Sequence, residues 1–146
     1  MAWLNRYADS VYCIVRLLIG LMFACHGGQK ILGFPPSERG LATSPLGLTA
    51  GWIELTCGLL LAVGLLTRLA AFIASGEMAV AYFLTSFSGT TLNHAPTILE
   101  RLLPILNKGE LPVLFCFVFL LILFYGPGRW SIDGLICARS ATKSTT

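Results

Sequence analysis

Four stretches of this chain are too apolar, for too long, to form the surface of a water-soluble domain. They fall at about 10–32, 46–66, 69–87 and 111–126. A hydrocarbon layer about 30 Å thick is crossed by about 20 apolar residues of helix, each adding about 1.5 Å. Lipid offers the backbone no hydrogen-bond partner, so each stretch must pair its own N–H and C=O groups, which a helix does. The expectation is an all-α fold: an integral membrane four-helix bundle, one domain over 1–146. The remaining composition agrees. Hydrophobic residues make up 55% of the chain and charged residues only 12%, too few to coat a soluble domain of this size.

Charge excludes one class of partner. Ten Lys or Arg against seven Asp or Glu give a net charge of +3. No basic stripe interleaved with aromatics is present, so nucleic acid is not expected. The five cysteines, Cys13, Cys25, Cys57, Cys116 and Cys137, include no C-x-x-C pair, and their odd number argues against a full set of disulfides. They read as small apolar side chains. Met22-Phe23-Ala24-Cys25 loosely resembles a lipoprotein cleavage box, but Arg16 interrupts the apolar run before it, so this segment reads as a retained first helix.

The breaks between spans are set by backbone chemistry. Gly33-Phe34-Pro35-Pro36, with Gly40 beyond it, cannot continue a helix. Gly47 and Gly51 form a G-x-x-x-G pair suited to close helix approach. Thr67-Arg68 is so short a link that spans two and three must form an antiparallel hairpin. Ala71, Ser75 and Ala79 put small residues on one face of the third span. Residues 88–109 form the longest polar connection, and 98–106 suits a short amphipathic helix at the interface. The polar tail after Ala138 is expected to fray. Four spans place both ends on one side, with Arg6, Arg16, Arg68, Arg129, Arg139 and Lys143, against Lys30, Arg39, Arg101 and Lys108 on the other. That bias favours cytoplasmic termini.

Four ionisable groups lie inside or at the edge of the spans: Arg16, His26, Glu54 and Glu77. A charge at membrane depth costs several kcal/mol unless paired or hydrated, so all four should face the bundle interior. Measured from the cytoplasmic side at about 1.5 Å per residue, they lie roughly 9 Å (Arg16), 14 Å (Glu77), 18 Å (Glu54) and 24 Å (His26) deep. Arg16–Glu77 is the first candidate ion pair, with Glu54 between it and His26. Gln29, Lys30 and Glu110 are expected at the mouth of a polar pocket opening outward. Such a column either ties helices together, or relays protons or binds the polar head of a quinone or lipid. A haem on His26 and His94 is the weaker cofactor reading, since no C-x-x-C-H is present. No metal site is expected, because no E-x-x-H pair or denser ligand set occurs. No phosphate-binding loop or G-x-S-x-G elbow is present either. Catalysis by this chain alone is therefore not expected.

Six short segments stand out for their order and spacing. They are His26-Gly27-Gly28-Gln29-Lys30, Gly51-Trp52-Ile53-Glu54-Leu55, Gly64-Leu65-Leu66-Thr67-Arg68 and Ser75-Gly76-Glu77-Met78-Ala79-Val80-Ala81-Tyr82-Phe83. Asn107-Lys108-Gly109-Glu110 and Gly126-Pro127-Gly128-Arg129-Trp130-Ser131-Ile132-Asp133 complete the set, in order, from about Arg16 to Leu135. Together they resemble the DoxX family of small bacterial membrane proteins, and the resemblance implies four transmembrane helices in a bacterial cytoplasmic membrane. It implies an accessory subunit of a membrane redox complex linked to quinone, with other membrane subunits and lipid as partners. The alternatives are a binding or transport bundle for a small lipophilic molecule, and a purely structural subunit. The chain departs from similar proteins between Phe87 and Leu106, where they carry a His-containing, aromatic-rich link. In the last motif, Gly126 and Gly128 allow a sharp exit from the fourth helix and Trp130 suits the headgroup layer. Asp133 is expected to accept hydrogen bonds at a turn, or to pair with Arg129 or Arg68.

Overall fold

The computed structural model describes residues 2–37, 40–92 and 94–143, and among these there is no strand. Arg39, expected on the outward side, lies outside the described residues. In order come α1 (Ala2–Asn5), α2 (Ala8–Ile31), α3 (Pro45–Val63) and α4 (Thr67–Ala81). A π-helical turn, Tyr82–Phe87, continues α4, and α5 (Ile98–Leu102), α6 (Glu110–Tyr125) and α7 (Ile132–Lys143) follow. The protein is thus an all-helical membrane protein. Three helical segments are long and apolar enough to cross a bilayer: Ala8–Ile31, Pro45–Val63 and Thr67–Phe87. The outer faces of the long helices expose large apolar side chains such as Leu18, Met22, Phe72, Phe117 and Phe124, which water would not tolerate in this density. Helix α6 is apolar throughout but has 16 residues, about 24 Å of helix.

The ends of these helices follow from local sequence. The Ser44 hydroxyl caps α3 by accepting from the Gly47 N–H at 3.1 Å, and Pro45 occupies its first turn. Gly64 ends α3 at φ +72°, where its N–H donates to the Leu60 carbonyl. Only Gly64, Leu65 and Leu66 separate Val63 from the start of α4, and this tight turn makes α3 and α4 a hairpin. Helix α5 is shorter than the 98–106 expected from sequence. Thr97 and Glu100 form a reciprocal capping box at its start. Leu103 is extended (φ −101°, ψ 108°), as a residue before Pro104 prefers, and this stops the helix. Helix α7 extends beyond Ala138, where the sequence suggested fraying. Arg139 and Lys143 belong to it, but their side chains lie outside the described residues.

Two kinds of packing hold the bundle. Helices α2 and α3 touch backbone to backbone. A Cβ at Gly20 would lie 2.6 Å from the Ala62 nitrogen, and one at Gly27 2.5 Å from the Gly51 carbonyl oxygen. A Cβ at Gly58 would lie 2.7 Å from the Gly20 carbonyl oxygen. The close approach therefore uses Gly51 of the expected pair, together with Gly58, whereas Gly47 stays near the Ser44 cap. Helices α4 and α6 pack small against large. Ala70, Ala71 and Ala74 are buried beneath Phe115, Phe119 and Ile122. The Ser75 hydroxyl donates to the Cys116 carbonyl at 3.0 Å, a cross-helix bond typical of membrane bundles. Phe23 of α2 closes the ring, its centroid 4.6 Å from that of Phe119 in an edge-on contact.

Candidate functional site

The buried charges separate into two groups rather than one column. Lys30 follows Arg16 by fourteen positions of α2, about 21 Å of helix.

At one end Arg16 is 2% exposed. Its Nη1 donates to the Leu61 carbonyl and its Nη2 to the Trp130 carbonyl, both at 2.6 Å. The expected Arg16–Glu77 pair does not form. The reason is that the last carbonyls of α3 carry the negative end of that helix and lie nearer. Arg16 also fills the space over Gly64, so any Cβ there would meet its Nη1.

Asp133 completes this end. Its carboxylate accepts from the Leu66 N–H at 2.8 Å and from the Thr67 N–H and hydroxyl, each at 2.9 Å. Its own N–H donates to the Gly64 carbonyl at 3.0 Å. Asp133 thus caps α4 from a distant part of the chain. Burial alone would raise its carboxyl, but the bonds from Thr67 and Leu66, with the charge of Arg16, hold it below the ordinary carboxylate value. Among the described residues neither Arg129 nor Arg68 forms an ion pair with it. Gly126 (φ +93°) and Gly128 (φ +72°) turn the chain out of α6. Trp130, 60% exposed, stands at the edge of the bundle.

At the other end lies a cavity of about 410 Å³, within the range of small-molecule sites. Its apolar walls are Phe23, Met78, Ala81, Leu111, Pro112 and Phe115, and its polar lining comes from His26, Lys30, Glu54, Thr85, Ser86, Thr91 and Lys108. Phe23, His26 and Lys30 recur at three- and four-residue spacing, so they share one face of α2. Lys30 Nζ bonds Glu54 Oε1 at 2.6 Å. Glu54 is 3% exposed, and its Oε2 has no partner. His26 stands edge-on to Phe115, centroids 6.0 Å apart.

Glu77 is half-buried, and its Oε2 also lacks a partner. Among the described residues it forms no ion pair. Gln29 and Glu110, expected at the mouth, lie off the cavity wall. Gln29 sits one step round α2 from Lys30. Glu110 lines a shallower hollow with Ile105, Lys108, Leu111 and Leu114. Lys108, held at φ +57°, takes the rim position instead. His94 is exposed and faces Glu100 at 3.6 Å, away from His26. The Glu100 carboxyl is held below its ordinary value, first by the Thr97 N–H and hydroxyl and then by His94. Among the described residues no group of three His, Cys, Asp or Glu is placed to hold a metal ion.

Several pocket residues are not evident from sequence periodicity. The π-helical turn adds a residue to the register, and it brings Thr85 and Ser86 into the cavity wall. The signal available was two hydroxyl residues in an otherwise apolar Tyr-Phe-Leu run. Asn107 is fully buried. Its Nδ2 donates to the Arg101 carbonyl at 3.1 Å and to the Tyr82 hydroxyl at 3.4 Å. Its Oδ1 accepts from the Gly109 N–H at 3.0 Å, and its carbonyl accepts from Thr91 at 2.8 Å. One amide residue therefore ties the long connection, the π-helical turn and the start of α6 together over the cavity.

These features define a small membrane-embedded helical bundle with a structural lock at one end and a polar-walled cavity at the other. The DoxX family pattern matches residues 11–86, and the chain belongs to that family. It is 38% identical over 133 residues to an uncharacterized protein of Haemophilus influenzae, covering 89% of this chain and 93% of that one. It is 32% identical over 151 residues to an uncharacterized membrane protein of Mycobacterium tuberculosis, covering 90% of this chain and 83% of that one. No solved structure matches the chain. The family match ends within the π-helical turn, so the Asn107 segment and the Asp133 cap lie beyond it, although the relatives span nine-tenths of the chain.

Proposed function

We propose that the chain binds the polar head of a small lipophilic molecule in the cavity between α2, α4 and α6, as an accessory subunit of a membrane redox complex for which that molecule is a quinone. The observation that carries this reading is the cavity itself. Its walls are mostly apolar, yet Lys30, Glu54, His26 and Ser86 also line it, a combination suited to seating an amphiphilic ring. Lys30 and His26 supply donors for carbonyl oxygens, and Glu54 Oε2 supplies an acceptor for a hydroxyl. Phe115 and Phe23 offer ring faces for packing. All four long helices cross the bacterial cytoplasmic membrane in this reading, with α6 spanning a locally thinned layer. The charge bias of the loops puts the termini in the cytoplasm and the cavity on the outer side.

The test is direct. The full chain is purified in lipid nanodiscs, and bound lipophiles are extracted for mass spectrometry. A short-tailed benzoquinone analogue is then titrated while quenching of the tryptophan fluorescence is followed. Saturable binding to the native chain is expected, and its loss in Ala81→Phe, which fills the cavity. Equal binding by both proteins would place the analogue in bulk lipid and refute the reading.

A further inference from the structure

A second hollow adjoins the cavity. It measures about 450 Å³ and is lined by Ile105, Lys108, Glu110, Leu111 and Leu114. Lys108 and Leu111 line the cavity as well, so the two spaces meet at these side chains. The rim between them is firmly built. Lys108 is held at φ +57°, a region that residues with a side chain seldom enter. The fully buried Asn107 brackets it, accepting the Gly109 N–H at 3.0 Å across Lys108. Among the described residues Lys108 forms no ion pair.

The hollow leads onto the outer face of α6. Ile105, Leu111 and Leu114 are exposed, and beyond them so are Phe117, Leu121 and Phe124. Steps of three and four residues put Leu114, Phe117, Leu121 and Phe124 on one side of the helix. Phe115, Phe119 and Ile122 are buried against α4, so this stripe is the side turned away from the bundle. From Leu111 to Phe124 it runs about 20 Å. An unbroken apolar track therefore starts at the junction with the cavity and follows α6 along the bilayer. A long chain attached to a head seated in the cavity has to leave it. Over Leu111 and Leu114 it meets apolar side chains throughout, whereas an exit to water would expose it.

We propose that the hollow is a tail site and the lateral entrance to the cavity. Its occupant is the single apolar chain of the molecule whose head fills the cavity. The chain crosses the rim at Lys108 and Leu111, fills the hollow and continues down the Leu114–Phe124 stripe into lipid. The ligand is thus a long-tailed amphiphile that arrives sideways from the bilayer, with Lys108 beside the point where head and chain join. This rests on the pocket reading and adds a chain, a route and a rim residue to it.

Two probes test it on the full chain in nanodiscs: a radiolabelled tailless benzoquinone, and the same ring on a decyl chain ending in a diazirine. Empty nanodiscs serve as the blank. After illumination, the chain probe is expected to label residues 105–124, and excess unlabelled decyl analogue is expected to lower that labelling about fivefold or more. Leu114→Trp, a change at an exposed position, obstructs the hollow. It is expected to weaken the decyl probe by about fivefold or more and to leave the tailless probe unchanged. If Leu114→Trp does not fold, the labelling map decides by itself. Displaceable label on another lipid-facing helix, at Leu18, Met22 or Phe72, overturns the proposal. Label at 105–124 that no competitor displaces also overturns it, since an ordinary boundary lipid then covers the stripe. Equal weakening of both probes in Leu114→Trp refutes a separate tail site. If the tailless probe fails to bind the native chain, the pocket reading fails and the tail site with it; if it binds and the label maps elsewhere, the tail site alone fails.

Discussion

Replacing Gly58 with alanine tests whether backbone contact between α2 and α3 is what holds the bundle. The added Cβ would lie 2.7 Å from the Gly20 carbonyl oxygen and nearer still to the Ala24 nitrogen. Ordinary non-bonded separations begin near about 3.5 Å, so the two helices would have to part by about 1 Å. The obstacle is backbone on both counts, so no rotamer change relieves it. Overpacking of this kind costs about 1–3 kcal/mol, and a rigid obstacle puts it at the upper end. Alanine also favours helix over glycine by roughly 0.8–1 kcal/mol, which would mask part of the loss. Gly76→Ala removes that ambiguity. Gly76 is exposed on α4 with nothing within 4 Å of the added Cβ, so it receives the propensity gain without the clash. The difference between the two variants isolates the packing contribution, expected at about 2–3 kcal/mol. Unfolding in mixed micelles with increasing SDS, followed by circular dichroism, measures it. If the two variants unfold within about 0.5 kcal/mol of one another, the helices are not in backbone contact at this position.

The other expectations concern the polar residues. Asp133→Ala removes the cap on α4 and should cost about 0.5–2 kcal/mol by the same unfolding assay. A carboxyl held below its ordinary value stabilises the fold above the unfolded pKa and loses that contribution as pH falls through the lower folded value. Native stability should therefore decline below about pH 4, and Asp133→Asn should flatten that decline; an unchanged acid limb would contradict the cap. Arg16→Leu strands the Leu61 and Trp130 carbonyls and should cost about 1–3 kcal/mol for each acceptor left dry, while quinone-analogue titration stays as in the native chain. Lys30→Met leaves Glu54 buried without its cation and should cost about 3–5 kcal/mol, most of it recovered in Lys30→Met with Glu54→Leu; no recovery would mean that Lys30 acts through something other than Glu54.

Sequence periodicity was sufficient for the long helices because lipid imposes one rule on all of them. Counting residues ordered Arg16, Glu77, Glu54 and His26 by depth in one column, with Lys30 at the mouth of a pocket beyond them. It could not choose the partner of Arg16. A long side chain at the edge of a span reaches carbonyls as readily as carboxylates, and carbonyl acceptors are the same at every position of a sequence. The backbone contact was half legible. Gly51 was visible in its G-x-x-x-G pair, but Gly20, Gly27 and Gly58 become meaningful only when two helices are seen to cross. The π-helical turn left no periodic trace, because one added residue near the end of an apolar run breaks no pattern. Asn107 was hidden for a related reason: a polar residue in a polar connection carries no mark of burial.

The Arg16 lock is assembled from residues that a ribosome delivers at very different times. Leu61 follows Arg16 by 45 residues, but Trp130 follows it by 114, with Asp133 just beyond. Until those two arrive the guanidinium has one of its two backbone acceptors, and α4 has no cap. A charged side chain in that position costs several kcal/mol unless water or another protein attends it. The nascent bundle therefore carries a marker of its own incompleteness, erased only when Trp130 and Asp133 dock. A chain cut before residue 130 lacks both the second acceptor of Arg16 and the cap on α4.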